Sequence, residues 1–256
     1  MSFLDLGAGD AVLFIQTGLG ADELLPLASE PALAGRRRVL PRRRGYTGDG
    51  PDLPGTIARD AADCVALLDS LHLPAVDVVG YSYSAAVALE LALLAPTAVR
   101  STTLIEPPPL ITSHRDEFVG VCVDLMSLCA EQGPSAALEA FWDRTTTPDW
   151  WAALEPHVPD ARAQMRRDAR TFFEQDLPAL LGWTFTAEDA RRISSPVLHV
   201  GAGDSGPWWA QVRTTVLGWF PGATDVVVPG ADHGLVVTHP AEVSAALIDF
   251  WCAGPS

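Results

Sequence analysis

Short apolar runs alternate with longer amphipathic stretches along the first hundred residues, and this rhythm predicts an α/β fold. Ala11-Val-Leu-Phe-Ile15, Arg38-Val39-Leu40 and Val76-Asp77-Val78-Val79 are too short for helices and read as strands. Residues 21–33 read as a helix with Asp22 and Glu23 in its first turn. Residues 56–71 read as a second, because Ile57, Ala61, Cys64, Val65, Leu68 and Leu71 recur every three to four positions. A third helix begins after Ser82, and Thr102-Thr-Leu-Ile105 is a strand stopped by Pro107-Pro108-Pro109.

From 110 to 190 the strand-like runs vanish. Helical stretches are expected at 115–131, 134–145, 149–153 with 160–173, and 176–183, and the segment is rich in Trp and Phe. The strand–helix rhythm returns at Pro196-Val-Leu-His-Val200, the helix 208–220, Asp225-Val-Val-Val228 and a closing helix at 240–251. The expected organisation is therefore a core from 1–109 and 191–256, with a mostly parallel central sheet flanked by helices. Residues 110–190 form a helical lid inserted between two strands, placed to cover a site.

Composition changes this picture little. The chain has 256 residues, enough for one large domain, and a net charge of −15, which argues against nucleic acid as a partner. No apolar run approaches a membrane span, and no basic leader precedes one at the N-terminus, so a cytoplasmic protein without membrane attachment is expected. All 17 basic residues are arginine. Six of them crowd residues 36–44, a cluster that reads either as a solvated face or as a site for an anionic substrate. Cys64, Cys122, Cys129 and Cys252 show no disulfide or zinc spacing and are expected as buried free thiols. No phosphate loop, dinucleotide fingerprint or metal motif occurs, so no cofactor or metal is expected. The sequence leaves room for a homodimer.

Three polar residues carry the candidate chemistry. Ser82, Asp204 and His233 each follow a strand, and in a parallel sheet the loops after the strands share one edge. A serine needs a base to take its proton, and the base needs a carboxylate to hold its tautomer. Gly80-Tyr81-Ser82-Tyr83-Ser84 has the small residues that a sharp strand-to-helix turn requires, although its last position is Ser rather than the usual Gly. The competing readings are a plain turn serine at Ser82, a helix cap at Asp204 and a structural role for His233. Tyr83, Trp208 and Trp209 lie near enough in sequence to touch a substrate.

With these motifs in place, the chain resembles the α/β-hydrolase superfamily, in its small lidded esterase, lactonase and cofactor-free haloperoxidase-like branch. The matching pieces are TGLG at 17–20, RRRGYTG at 42–48, VVGYSYSAAVALELA at 78–92, PVLHVGAGD at 196–204 and PGADHGLVVTHPAEV at 229–243. The resemblance implies Ser82 as nucleophile, Asp204 as triad acid and His233 as base, with Glu106 as the alternative acid. It implies an oxyanion hole from the amides of Leu19 and Tyr83, and a substrate pocket using Thr17, Gly18, Trp142, Trp183 and Trp208. The family's loop-propping His is Thr17 here, its usual loop Asp is Arg42, and its second elbow Gly is Ser84.

The implied activity is hydrolysis of an ester, lactone or thioester of an apolar or aromatic small molecule through an acyl-enzyme. The alternatives are cofactor-free carbon–carbon, acyl-transfer or cyclisation chemistry on the same fold, and a non-catalytic ligand-binding protein.

Overall fold

The structure, a computed structural model, describes residues 2–46 and 54–253. The strands are β1 (Phe3–Leu6), β2 (Ala11–Ile15), β3 (Arg37–Pro41), β4 (Val76–Tyr81), β5 (Val99–Ile105), β6 (Val197–Ala202) and β7 (Thr224–Val228). They form one sheet in the order β1-β3-β2-β4-β5-β6-β7, parallel except for the β1–β3 pair. Between β2 and β3 lies α1 (Leu25–Ala28), and before β4 lies α2 (Ile57–Ser70). Next come α3 (Tyr83–Leu94), then α4 (Arg115–Gln132), α5 (Pro134–Thr145), α6 (Pro148–Leu154), α7 (Ala161–Thr171), α8 (Leu177–Leu181) and α9 (Ala187–Ala190) between β5 and β6. Finally α10 (Pro207–Trp219) precedes β7, and α11 (Leu235–Thr238) and α12 (Pro240–Ala253) follow it.

The inner strands are buried on both faces, which is why they read as continuous apolar runs rather than alternating ones. Alternation still sorts them: Val12 and Phe14 pack on the face carrying α12, whereas Leu13 and Ile15 pack on the face carrying α2 and α3. Helix α2 begins where Thr56 accepts a hydrogen bond from the Arg59 amide, a side-chain N-cap.

The sequence pattern does not predict the short α9 and α11, and two further elements depart from its expectation. Strand β1 is new: a four-residue, half-exposed edge whose pairing with β3 is a tertiary contact, tied by the Arg37–Asp5 ion pair at 2.7 Å. The long helix expected over 21–33 shrinks to α1 plus a single 3₁₀ turn at Pro31–Leu33. Pro31 lacks the amide that a continuing helix needs.

Strand order fixes where a ligand goes. From β2 the chain moves outward to β3, then crosses to the other side of β2 for β4. Such a reversal opens a crevice at the carboxyl ends of the two strands, here between the loop after Ile15 and Ser82. Thr47 and Gly48, part of the RRRGYTG motif, and the rest of residues 47–53 lie outside the described residues.

Candidate active site

The turn at Ser82 is built by its neighbours. Ser82 holds φ +51° and ψ −118°, a conformation that L-residues rarely adopt, between the end of β4 and the first residue of α3. Gly80 makes the turn possible, because a Cβ there would stand 2.4 Å from the Ser84 carbonyl oxygen and 2.8 Å from Ala88 Cβ. Ser84, the departure from the usual glycine, is wholly buried and stitches the turn: its Oγ accepts from the Tyr81 amide at 2.9 Å and donates to the Tyr81 carbonyl at 3.0 Å.

His233, in the loop after β7, stands with Nε2 3.1 Å from Ser82 Oγ. Its Nδ1 is 3.0 Å from Glu106 Oε2, and not beside Asp204. The carboxylate expected from Asp204 is therefore supplied by Glu106. Strand β5 lies between β4 and β6, and Ile105 pairs with Tyr81, so the residue after Ile105 stands beside Ser82. Glu106 takes φ +44°, is 2% exposed, and accepts the Ala202 amide on Oε1 at 2.9 Å, leaving Oε2 for the imidazole. Asp204 donates its amide to the Ala231 carbonyl at 2.8 Å, which docks the β6 loop on the β7 loop and leaves the Asp204 side chain exposed. Tyr81 donates to the His233 carbonyl at 2.7 Å, and the Trp209 ring lies 4.3 Å from the imidazole, so His233 is held on two sides.

The two expected oxyanion donors differ. Tyr83 opens α3, so its amide is among the first four that no helical carbonyl can reach. Leu19, at φ +65° in a tight turn closed by Gly20 N–H to the Gly18 carbonyl, donates its amide to Tyr46 Oη at 2.8 Å instead of opening to the cavity.

That phenol belongs to a buried network that the arginine-rich stretch conceals. Arg43 is 1% exposed and donates to the carbonyls of Gln16 and Thr17 and to the carboxylates of Asp60 and Asp176. It thus supports the loop where the family's histidine is missing. Tyr46 donates to Asp176 and Tyr83 donates to Asp60, so both candidate oxyanion segments touch the same network. Burial works against the Arg43 charge, but Asp176 and Asp60 hold the guanidinium well above its ordinary range. Arg42 pairs with Asp22 and Arg44 with Asp63. Arg37 pairs with Asp5, and Arg38 donates to the Ala28 carbonyl. Of the six arginines only Arg43 is buried; Arg44 is exposed, and Arg36, Arg37, Arg38 and Arg42 are half-buried.

Ser82 and His233 open into a mostly apolar cavity of about 420 Å³. Thr17, Gly18, Trp142 and Trp208 line it, together with Phe141, Phe172 and Trp150 from the helices between β5 and β6. Trp183 does not line it. It sits in the core of the opposite sheet face, stacked on Phe185, with its indole N–H on Glu90 at 2.9 Å. Cys122 also lines the cavity, and burial pushes its thiol up to about 12, so it is an apolar wall rather than a nucleophile. Cys64 and Cys129 are buried free thiols, whereas Cys252 is exposed, unlike the expectation for all four. Sequence reasoning missed Glu23, a further cavity residue read only as a helix-start acid, and the Arg43 network. The crowding of arginines near Asp22, Asp60 and Asp63 was the available signal.

The fold and this arrangement define an α/β-fold enzyme of the hydrolase class. The chain belongs to the alpha/beta hydrolase family, whose model matches residues 12–246. It is 29% identical to "Putative carbamate hydrolase RutD" of Variovorax paradoxus, over 94% of this chain and 91% of that protein. It is 26% identical to "Putative non-heme bromoperoxidase BpoC" of Mycobacterium tuberculosis, over 99% and 98%. In fold it is similar to the enol-lactonase from Burkholderia xenovorans, with a TM-score of 0.81 at 18% identity, covering 98% and 96% of the two chains. Among the described residues no helix is long and apolar enough to cross a membrane.

Proposed function

We propose that this chain is a serine hydrolase that cleaves an ester, lactone or thioester of an apolar or aromatic acyl group, with Ser82, His233 and Glu106 as its triad. The observation that carries this reading is the unbroken chain Ser82 Oγ, His233 Nε2, His233 Nδ1, Glu106 Oε2, with steps of 3.1 and 3.0 Å, opening into an apolar cavity.

His233 takes the Ser82 proton as Oγ attacks the acyl carbon, and Glu106 fixes the tautomer and stabilises the imidazolium. The Tyr83 amide donates to the oxyanion. The imidazolium returns the proton to the leaving oxygen or sulfur, and an acyl-enzyme remains. A water deprotonated by His233 then attacks the ester, and Ser82 leaves with the proton. The carbamate named for the Variovorax relative poses the same electrophile and belongs in the substrate screen. A fluorophosphonate probe should label Ser82, and Ser82→Ala should abolish both labelling and turnover of p-nitrophenyl acetate. Undiminished turnover in Ser82→Ala refutes the mechanism.

One observation favours a second reading. With the Leu19 amide held by Tyr46, the oxyanion site has one open donor instead of two. A site weakened for tetrahedral intermediates suits carbon–carbon or cyclisation chemistry that forms no tetrahedral adduct on Ser82. Failure of the probe to label Ser82 in a folded protein would favour that reading.

A further inference from the structure

Glu23 stands outside the triad and yet lines the same cavity, the one carboxyl among its described lining residues. It precedes α1, and its carboxyl lies over the Gly18–Gly20 turn. A Cβ added to Gly20 would be 2.5 Å from Glu23 Oε2, and 3.2 Å from the Met165 methyl of α7. Among the described residues no side chain is hydrogen-bonded to this carboxyl. The other ionisable groups on the described cavity wall are Tyr81, Tyr83, Cys122, Arg144 and His233, and of these Tyr81 is close enough to feel the Glu23 charge. The adjacent Asp22 is occupied by Arg42.

Burial raises the Glu23 carboxyl to about 8, so the neutral acid predominates at pH 7. A neutral carboxyl carries one O–H donor, and a donor in an apolar wall gains most from a ligand that accepts its hydrogen bond. An ionised carboxyl here would repel the oxyanion developing nearby, whereas a neutral one does not.

We propose that Glu23 reads the substrate: its carboxyl, on the cavity wall without a side-chain partner among the described residues, hydrogen-bonds an ether, carbonyl or hydroxyl oxygen in the body of an uncharged acyl substrate. The assignment rests on the serine-hydrolase reading above. The preferred substrate is therefore an apolar acyl group carrying one acceptor oxygen, rather than a plain hydrocarbon chain or a cation.

The test compares kcat/KM for two esters of equal length, p-nitrophenyl pentanoate and p-nitrophenyl 3-methoxypropanoate, from about pH 6 to pH 9. The protein is used as wild type, Glu23→Gln and Glu23→Leu. One hydrogen bond corresponds to a preference for the methoxy ester of about tenfold at pH 7 in wild type and in Glu23→Gln, whose amide also donates. Glu23→Leu should lose the preference while still turning over the pentanoate. Above about pH 8 the preference should fade in wild type and persist in Glu23→Gln. An equal ratio in all three proteins overturns the proposal, as does a wild-type preference for the ammonium-bearing 4-aminobutanoate ester. Fluorophosphonate labelling of Ser82 in each variant separates the two claims. Labelling with a flat ratio sinks the Glu23 assignment alone, and absent labelling sinks the hydrolase reading beneath it.

Discussion

Glu106→Gln is the sharpest probe of the site, because the surroundings dictate what the amide must do. Glu106 Oε1 accepts the Ala202 amide at 2.9 Å, and that donor cannot reverse its role. A glutamine therefore keeps its oxygen toward Ala202 and turns its NH₂ toward His233 Nδ1. Since the amide can only donate there, Nδ1 must accept, and the ring proton moves to Nε2. Nε2 then cannot take the Ser82 proton. A neutral triad acid that imposes the wrong tautomer costs on the order of 10⁴ in kcat, about 5 kcal/mol of barrier. Stability should change little, because the buried position keeps a side chain of the same shape. The assay is release of p-nitrophenol from p-nitrophenyl acetate, with thermal unfolding alongside. Asp204→Asn, at an exposed position, should stay within about twofold of wild type. Near-normal turnover in Glu106→Gln together with a collapse in Asp204→Asn would refute this reasoning and return the acid to Asp204.

Three other outcomes are expected. Arg43→Met should destabilise the protein by about 3–5 kcal/mol in urea unfolding, since it leaves Asp60 and Asp176 buried without their cation; a loss below about 1 kcal/mol would mean that the network is not structural. Burial raises Asp168 from the usual 3.8 to about 6, and its Oδ2 is buried without a partner. Its folded pKa lies above its unfolded one, so stability is fully present below pH 4 and falls as pH rises toward 6. Asp168→Asn should remove that slope and be more stable than wild type above pH 6 by about 1–2 kcal/mol, after discounting for solvent screening. An unchanged slope would locate the pH dependence elsewhere. Trp183→Phe should leave kcat/KM on aromatic esters unchanged while Trp142→Phe alters it, because only Trp142 reaches the cavity; the reverse result would put Trp183 back in the pocket.

Much of this site was legible in the chain. Ser82 and His233 announced themselves through the strand-to-helix turn and the final-strand loop, because both signals are local: small residues where two backbones meet, and a β-branched run before a turn. Asp204 carried the same local signal, yet the carboxylate hydrogen-bonded to His233 is Glu106. The position of Asp204 after β6 says which edge of the sheet it occupies, but not where its side chain points. Glu106 satisfied the edge rule equally, and only the β4-β5-β6 adjacency, with the Ala202 amide to orient it, joins it to His233. The Leu19 amide was assigned from its motif position, and a phenol 27 residues away occupies it.

The sequence by itself determined the α/β rhythm, the inner strands, most of the helices, and the places of Ser82 and His233 at one edge of the sheet. These rest on periodicity and on backbone sterics within a few residues. Only the tertiary structure decided the edge strand β1, which carboxylate meets His233, the side of the sheet on which Trp183 lies, and the burial of Arg43 against Asp60 and Asp176. In each of those cases the partner is remote in sequence. Its energy comes from desolvation and pairing that exist only after the chain has folded, so no local pattern encodes it.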